Sequence, residues 1–151
     1  MRGTLVVVPT YNEAASIRTI VGRVRDAVPD ADVLVVDDAS PDGTGAIADE
    51  LAAVDSRIVV LHRSAKSGLG SAYLAGFARA REGGYRYVVE IDADGSHDPL
   101  ELPGMLALAE AEQLDLVIGS RWVPGGSVVN WPWSRRFISR SGNRYARAML
   151  G

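Results

Sequence analysis

The sequence predicts an α/β architecture: a mostly parallel sheet with helices on both faces, followed by a basic amphipathic helix. Three observations carry this. Short β-branched apolar runs alternate with stretches whose apolar residues recur at helical spacing, the pattern of successive βαβ units. The runs are apolar throughout, as suits strands covered on both faces. Finally, from Leu116 to Gly151 there are six Arg and no Asp or Glu, with aromatic and aliphatic residues interleaved.

Leu5-Val6-Val7-Val8 is the first run, closed by Pro9, and predicts a buried strand. Ile17, Ile20, Val21, Val24 and Val28 follow at helical spacing, and Pro29 ends that helix. Val33 to Val36 predicts a second strand, running into Asp37-Asp38. Ile47, Leu51 and Val54 mark a second helix, and Ile58 to Leu61 a third strand. Leu69, Tyr73, Gly76, Phe77 and Ala80 form one face of a third helix. Tyr87 to Ile91 predicts a fourth strand, ended by Asp92-Ala93-Asp94. Pro99 opens a fourth helix carrying Leu102, Met105, Leu106 and Ala109, and Leu116-Val117-Ile118 predicts a fifth strand. In such sheets ligands bind at the carboxyl ends of the strands. Those ends carry Pro9 to Glu13, Asp37 to Thr44 and Asp92 to Asp98, so the polar residues converge on one edge.

A chain of 151 residues is the size of one domain with one core, and 47% hydrophobic with 23% charged residues is ordinary for a globular fold. We read residues 1–120 as the α/β core, suited to a nucleotide, and 121–151 as a basic segment of the same domain. No apolar run is long enough for a transmembrane helix, and the first one is too short for a signal peptide. Without cysteine there is no disulfide framework, thiolate zinc site or cysteine nucleophile. The two histidines, His62 and His97, have no two-His metal spacing. The net charge of −3 is uneven: the stretch from Leu116 carries +6, which leaves −9 on residues 1–115. Trp122, Trp131 and Trp133 also lie in the basic stretch. The combination points to an anionic partner, phosphate or a lipid surface, and the acidic body argues against nucleic acid.

Four segments are candidates for chemistry. Asp92 and Asp94, two apart after a strand, can present two carboxylates on one side, a hard-oxygen site for Mg2+ or Mn2+ beside a pyrophosphate. The same residues also suit a plain turn. Asp38-Ala39-Ser40-Pro41-Asp42-Gly43-Thr44 imitates the start of a calcium loop, but Pro41 and the strand-to-helix setting reject that. It reads as a tight turn with a helix cap, or as a site where Asp38 holds a base or ribose. Gly68-Leu69-Gly70 lacks the third glycine of a dinucleotide fingerprint and starts several residues after its strand, which disfavours a nicotinamide site. The last segment, Trp133 to Met149, interleaves Trp133, Phe137, Ile138, Tyr145 and Met149 with Arg135, Arg136, Arg140, Arg144 and Arg147. It suits an anionic membrane surface, or a helix covering the sheet with its Arg stems. His97, three residues after Asp94, is either a metal ligand or a structural residue.

In chain order, Val8-Pro9-Thr10-Tyr11-Asn12-Glu13, Asp37 to Thr44, Gly68 to Gly76, Asp92-Ala93-Asp94 with His97, and Gly119-Ser120-Arg121-Trp122 resemble the motifs of inverting family 2 glycosyltransferases. Asn130-Trp131-Pro132 through Arg135, with Ile138-Ser139 and Asn143, resembles the branch that makes polyprenyl (dolichyl) monophosphate mannose. The resemblance implies a glycosyltransferase-A fold, Rossmann-like in its sheet. It implies transfer of mannose from GDP-mannose to a polyprenyl phosphate, with inversion and with Mg2+ or Mn2+. Pro9, Tyr11, Glu13, Val36 and Asp38 would hold the nucleotide. Asp92, Ala93 and Asp94 would form the metal and donor-phosphate site. Arg121 would contact phosphate between donor and acceptor, and Arg135 the acceptor phosphate; Asp94, Arg121 and Arg135 would carry the catalysis.

There are two departures from the family pattern. Many relatives have Gln as a further metal ligand two residues after the second Asp, where this chain has Ser96. The family also continues well past Gly151, so the chain reads as shorter than its relatives. The same resemblance implies a peripheral enzyme on the cytoplasmic side of a membrane, with an anionic lipid surface and an anchoring protein as partners. UDP-glucose or another sugar nucleotide as donor, and a non-catalytic nucleotide-binding module, are the other readings.

Overall fold

The computed structural model describes residues 2–120 and 132–150, without the side chains of Arg2, Arg135, Arg136, Arg147 and Leu150. Four strands form one sheet: β1 (Arg2–Thr10), β2 (Asp32–Asp37), β3 (Ile58–His62) and β4 (Tyr85–Glu90). Their order is β3-β2-β1-β4, and every pairing is parallel. The crossovers are α1 (Ile17–Ala27), α2 (Thr44–Val54) and α3 (Leu69–Gly83). After β4 come a 3-10 turn (Pro99–Glu101) and α4 (Leu102–Ala111). A separate helix, α5, spans Trp133–Leu150.

The period of two along a strand explains why β1 and β2 are apolar throughout. Val6, Val8, Val33 and Val35 face one side, where they pack with Ile17, Ile20, Val21 and Val24 of α1, Ala48 of α2 and Leu102 of α4. Leu5, Val7, Leu34 and Val36 face the other, against Ala72 and Ala80 of α3. Side chains fully buried in this way are worth roughly 1.5–3 kcal/mol each, and the two central strands supply eight of them. The edge strand β4 instead alternates half-buried and exposed residues.

The sheet leaves β1 in two directions. The chain runs β1, β2, β3 toward one edge, then crosses back and lays β4 on the other side of β1. The point where strand order reverses lies between β1 and β4, and the carboxyl-end crevice there is the usual ligand position of an open α/β sheet.

The expected Leu116–Ile118 strand is absent from the fold. The segment has no ladder partner among the described residues, and Leu116 and Ile118 are 73% and 75% exposed. An apolar run becomes a strand only by pairing, and this one pairs with none of the four. The chain divides into two compact units, Met1–Leu114 and Asp115–Gly151. The first contains the whole sheet and α1 to α4. The second contains α5, in which Ile138, Tyr145 and Met149 are exposed.

Helix α3 sits close on β1. A Cβ added at Gly76 would lie 2.5 Å from Val7 Cγ1 and 2.9 Å from Cγ2. Gly76→Ala should therefore destabilise: overpacking a well-filled core costs about 1–3 kcal/mol, more than the roughly 1 kcal/mol that alanine gains over glycine in a helix. Urea unfolding should show a lower midpoint; an equal or higher midpoint would contradict the close packing.

Candidate functional site

All four strands deliver their carboxyl ends to one edge, and the polar residues there interlock. The ladder pairs Thr10 with Asp37 and Asp37 with His62. Asp37, only 3% exposed, accepts hydrogen bonds at Oδ1 from the Thr10 hydroxyl (3.3 Å) and the Ser40 hydroxyl (2.5 Å). Its Oδ2 accepts the Ser40 N–H at 3.2 Å.

The loop after β2 ties down the loop after β1. The Asn12 N–H donates to Ser40 Oγ (3.1 Å), the Glu13 N–H to Thr44 Oγ1 (2.9 Å) and the Ala14 N–H to Asp42 Oδ2 (3.1 Å). Three successive backbone donors are thereby satisfied by side chains about 30 residues away. Asp42 Oδ1 in turn accepts the Thr44 hydroxyl at 2.6 Å and the Thr44 N–H at 3.1 Å. Ser40, Asp42 and Thr44 are thus the structural clasp that sets the path of Tyr11 to Glu13.

Asp38 is 4% exposed and has a different set of partners. Its Oδ1 takes a 2.6 Å ion pair from Arg63, and its Oδ2 accepts the Ser67 N–H at 3.0 Å. Arg63 also donates to Ser71 Oγ of α3 at 2.7 Å. The segment after β3 is folded over this edge, and it carries Lys66, whose Nζ lies 3.8 Å from the centre of the Tyr11 ring. A carboxylate oxygen has two acceptor positions, so Asp38 retains capacity for a further donor. Pro9 and Val36 are buried, and Val36 packs in the core face beneath α3. Glu13 is half-buried and accepts the Ser16 hydroxyl at 2.6 Å.

At the end of β4, Ile91 still donates its N–H to Val7 O at 3.2 Å, so the acidic pair begins one residue beyond the ladder. Asp92 Oδ1 accepts the Tyr73 hydroxyl at 2.9 Å. The Asp92 N–H donates to His97 Nδ1 at 3.2 Å, and His97 Nε2 lies 3.9 Å from Asp92 Oδ2. Desolvation, then the hydrogen bond to Asp92, pushes the Tyr73 phenol well above its usual range. Ala93 is buried, and Asp94 is exposed with its Oδ1 accepting the Ser96 N–H at 2.8 Å. Gly95, at φ +75°, makes the turn that brings Ser96 back onto Asp94. Asp98 accepts the Leu100 N–H at 3.1 Å at the start of the 3-10 turn and pairs with Arg23 at 2.7 Å.

The first unit thus gathers Pro9, Tyr11, Glu13, Val36, Asp38, Asp92, Ala93, Asp94 and Ser96 at or beneath one sheet edge. Arg121 lies outside the described residues, and Arg135 stands near the start of α5 with its side chain not among those described. The sequence reading missed Arg63 and Tyr73. Arg63 follows directly on β3, whose one ladder neighbour, β2, runs into Asp37-Asp38, and that was the available signal. Tyr73 falls on the apolar face of α3, and nothing local marks its hydroxyl.

Two carboxylates are hard oxygen donors of the kind that hold Mg2+ or Mn2+ with substrate phosphates, so the donor set suits such an ion. Among the described residues no group of three His, Asp or Glu gathers as a metal site.

Residues 5–150 match the sequence model of glycosyl transferase family 2. The chain belongs to that family. It is 58% identical over 147 residues to the undecaprenyl-phosphate mannosyltransferase of Micrococcus luteus, covering 97% of this chain and 60% of that protein. It is 56% identical over 149 residues to the polyprenol monophosphomannose synthase of Mycolicibacterium smegmatis, covering 98% of this chain and 56% of that one. The chain therefore spans somewhat over half the length of these relatives. Among solved structures it is similar to TarS of S. aureus in complex with UDP-GlcNAc, with a TM-score of 0.62 and 24% identity over 75% of this chain and 32% of that one. That likeness is one of fold, the glycosyltransferase-A type.

Asp42 gives a pH signature to the clasp. Its carboxyl is held below the usual carboxylate value of 3.8, chiefly by the Thr44 hydroxyl. A group with a lowered folded pKa stabilises the fold above its unfolded pKa, and that stabilisation is lost as pH falls through the folded value. Between about pH 5 and about pH 3, the unfolding midpoint should therefore drop further in the wild type than in Asp42→Asn. Parallel pH profiles in the two proteins would refute the clasp.

Proposed function

We propose that the chain is the nucleotide-sugar-binding part of a polyprenyl-phosphate mannosyltransferase, moving mannose from GDP-mannose to a lipid phosphate with inversion. One observation carries this reading: an acidic pair stands beside the sheet's switch point in a chain 58% identical to an undecaprenyl-phosphate mannosyltransferase. The pyrophosphate of a nucleotide sugar would lie between the ends of β1 and β4. Tyr11 and Asp38 would face the nucleoside, Tyr11 with its ring and Asp38 with its remaining acceptor positions.

Asp92 and Asp94 would hold a divalent cation, Mg2+ or Mn2+, with Ser96 beside them. When bound, the ion offsets the charge of the departing diphosphate, a negative group that would otherwise meet two carboxylates. Arg121 would add a guanidinium to the same phosphates, and Arg135 would orient the acceptor phosphate with its planar fork. The acceptor phosphate is already ionised near neutral pH, so no strong general base is required. Its oxygen forms the new bond to the anomeric carbon. The bond to GDP breaks and its electron pair leaves with the nucleotide. A single in-line displacement of this kind inverts the centre.

The acceptor's hydrocarbon would remain in a bilayer. Among the described residues no helix is long and apolar enough to cross a membrane. In α5, Ile138, Tyr145 and Met149 recur at helical spacing opposite Arg140 and Arg144, the pattern of a helix lying on an anionic surface. We therefore assign the enzyme a peripheral place on the cytoplasmic side of a membrane, with an anchoring protein as a further partner.

Incubated with radiolabelled GDP-mannose, Mn2+ and a polyprenyl phosphate, the chain should form labelled mannosyl lipid. Nucleotide binding without transfer would favour a non-catalytic module. A donor screen by thermal shift should rank GDP-mannose above UDP-glucose; the reverse order would change the sugar. Asp94→Asn should abolish Mn2+-dependent GDP-mannose binding in calorimetry, and unchanged affinity would contradict the metal role. The double variant Arg140→Ala/Arg144→Ala should sediment less with phosphatidylglycerol vesicles, whereas equal sedimentation would remove α5 from the membrane surface.

A further inference from the structure

We propose that the Tyr73 hydroxyl positions the Asp92 carboxylate and so sets how tightly the acidic pair takes up a divalent cation together with a nucleoside diphosphate. The inference rests on the metal-dependent reading above and adds a residue that lies on a helix, outside the strand ends. Tyr73 belongs to α3, and its hydroxyl reaches Asp92 Oδ1 at 2.9 Å. The ring is anchored. It stacks on Phe77 with centroids 6.4 Å apart, and it packs against the core face formed by Leu5, Val7, Leu34 and Val36.

A donor on so fixed a ring holds one carboxylate oxygen in place. The other oxygen, Oδ2, is left toward His97, whose Nδ1 accepts the Asp92 N–H. Asp92 is therefore held through both its backbone and its side chain. Asp94 is exposed on the turn beyond. Two carboxylates this close in sequence repel when both are charged, and a fixed hydroxyl donor offsets part of that cost at Asp92. Groups that orient metal-ligating carboxylates commonly change metal affinity by about 10- to 100-fold. The bond is partly exposed, with the Asp92 side chain 32% accessible, so water can replace the hydroxyl and the fold depends little on it.

The test is calorimetric titration of the whole chain with GDP, with and without MnCl2, in three proteins. In the wild type Mn2+ should tighten GDP binding. Tyr73→Phe keeps the ring and removes the hydroxyl. It should bind GDP alone as the wild type does and melt at a similar temperature, but lose about tenfold of the Mn2+-dependent gain. Leu74→Ala changes an exposed side chain of α3 next to Tyr73 and leaves its ring and hydroxyl alone, and it should retain the gain. Full gain in Tyr73→Phe, or equal loss in Leu74→Ala, overturns the positioning role. A wild type in which Mn2+ adds nothing to GDP binding overturns the metal-dependent function itself, a result the variants cannot imitate.

Discussion

Because all four strands run in the same direction, every strand-to-helix connection begins at one edge of the sheet. Parallel pairing requires long crossovers, and here α1, α2 and α3 supply them. Asp37 and His62 end up as ladder neighbours, and the acidic pair begins one residue after Ile91, whose N–H still bonds to Val7 of β1. The cost is local: turns that lack regular secondary structure must find partners for their backbone groups. The loop after β1 finds them in the side chains of Ser40, Asp42 and Thr44. Direction of the strands and satisfaction of the turns together fix where chemistry can occur.

The edge is rich in carboxylates, and the structure treats them differently. Asp37 and Asp38 are almost fully buried and meet hydroxyl, amide and guanidinium donors. Asp42 braces a loop. Asp94 stands exposed on the turn after β4. Burying a charge is costly unless partners compensate, and each buried member has a donor on both of its oxygens. A carboxylate meant to meet a cation cannot be surrounded so completely, and Asp94 fits that requirement better than Asp38.

Much of the fold was legible because its signals are local. Val6 to Val8 and Val33 to Val36 read as buried strands, and Ile17, Ile20, Val21 and Val24 read as one helix face; all are buried as that pattern requires. Leu116-Val117-Ile118 carries the same composition but pairs with no described strand, and composition alone does not say whether a partner exists. The acidic motifs stood out as residues, while their partnerships did not. The Arg63–Asp38 pair spans 25 positions and the Tyr73–Asp92 bond spans 19, distances at which only the folded topology brings groups together. Asp42 looked like an ordinary turn residue, and its bond to Ala14 was invisible for the same reason.

The missing side chain at Gly76 reaches further than the core. It lets α3 settle onto Val7, and Tyr73 stands one helical turn earlier on the same helix. Helix-to-sheet spacing at a residue without functional groups thus governs the reach of a phenol at the rim. A methyl group added beneath the helix would act as a shim, tilting a lever whose far end touches a carboxylate.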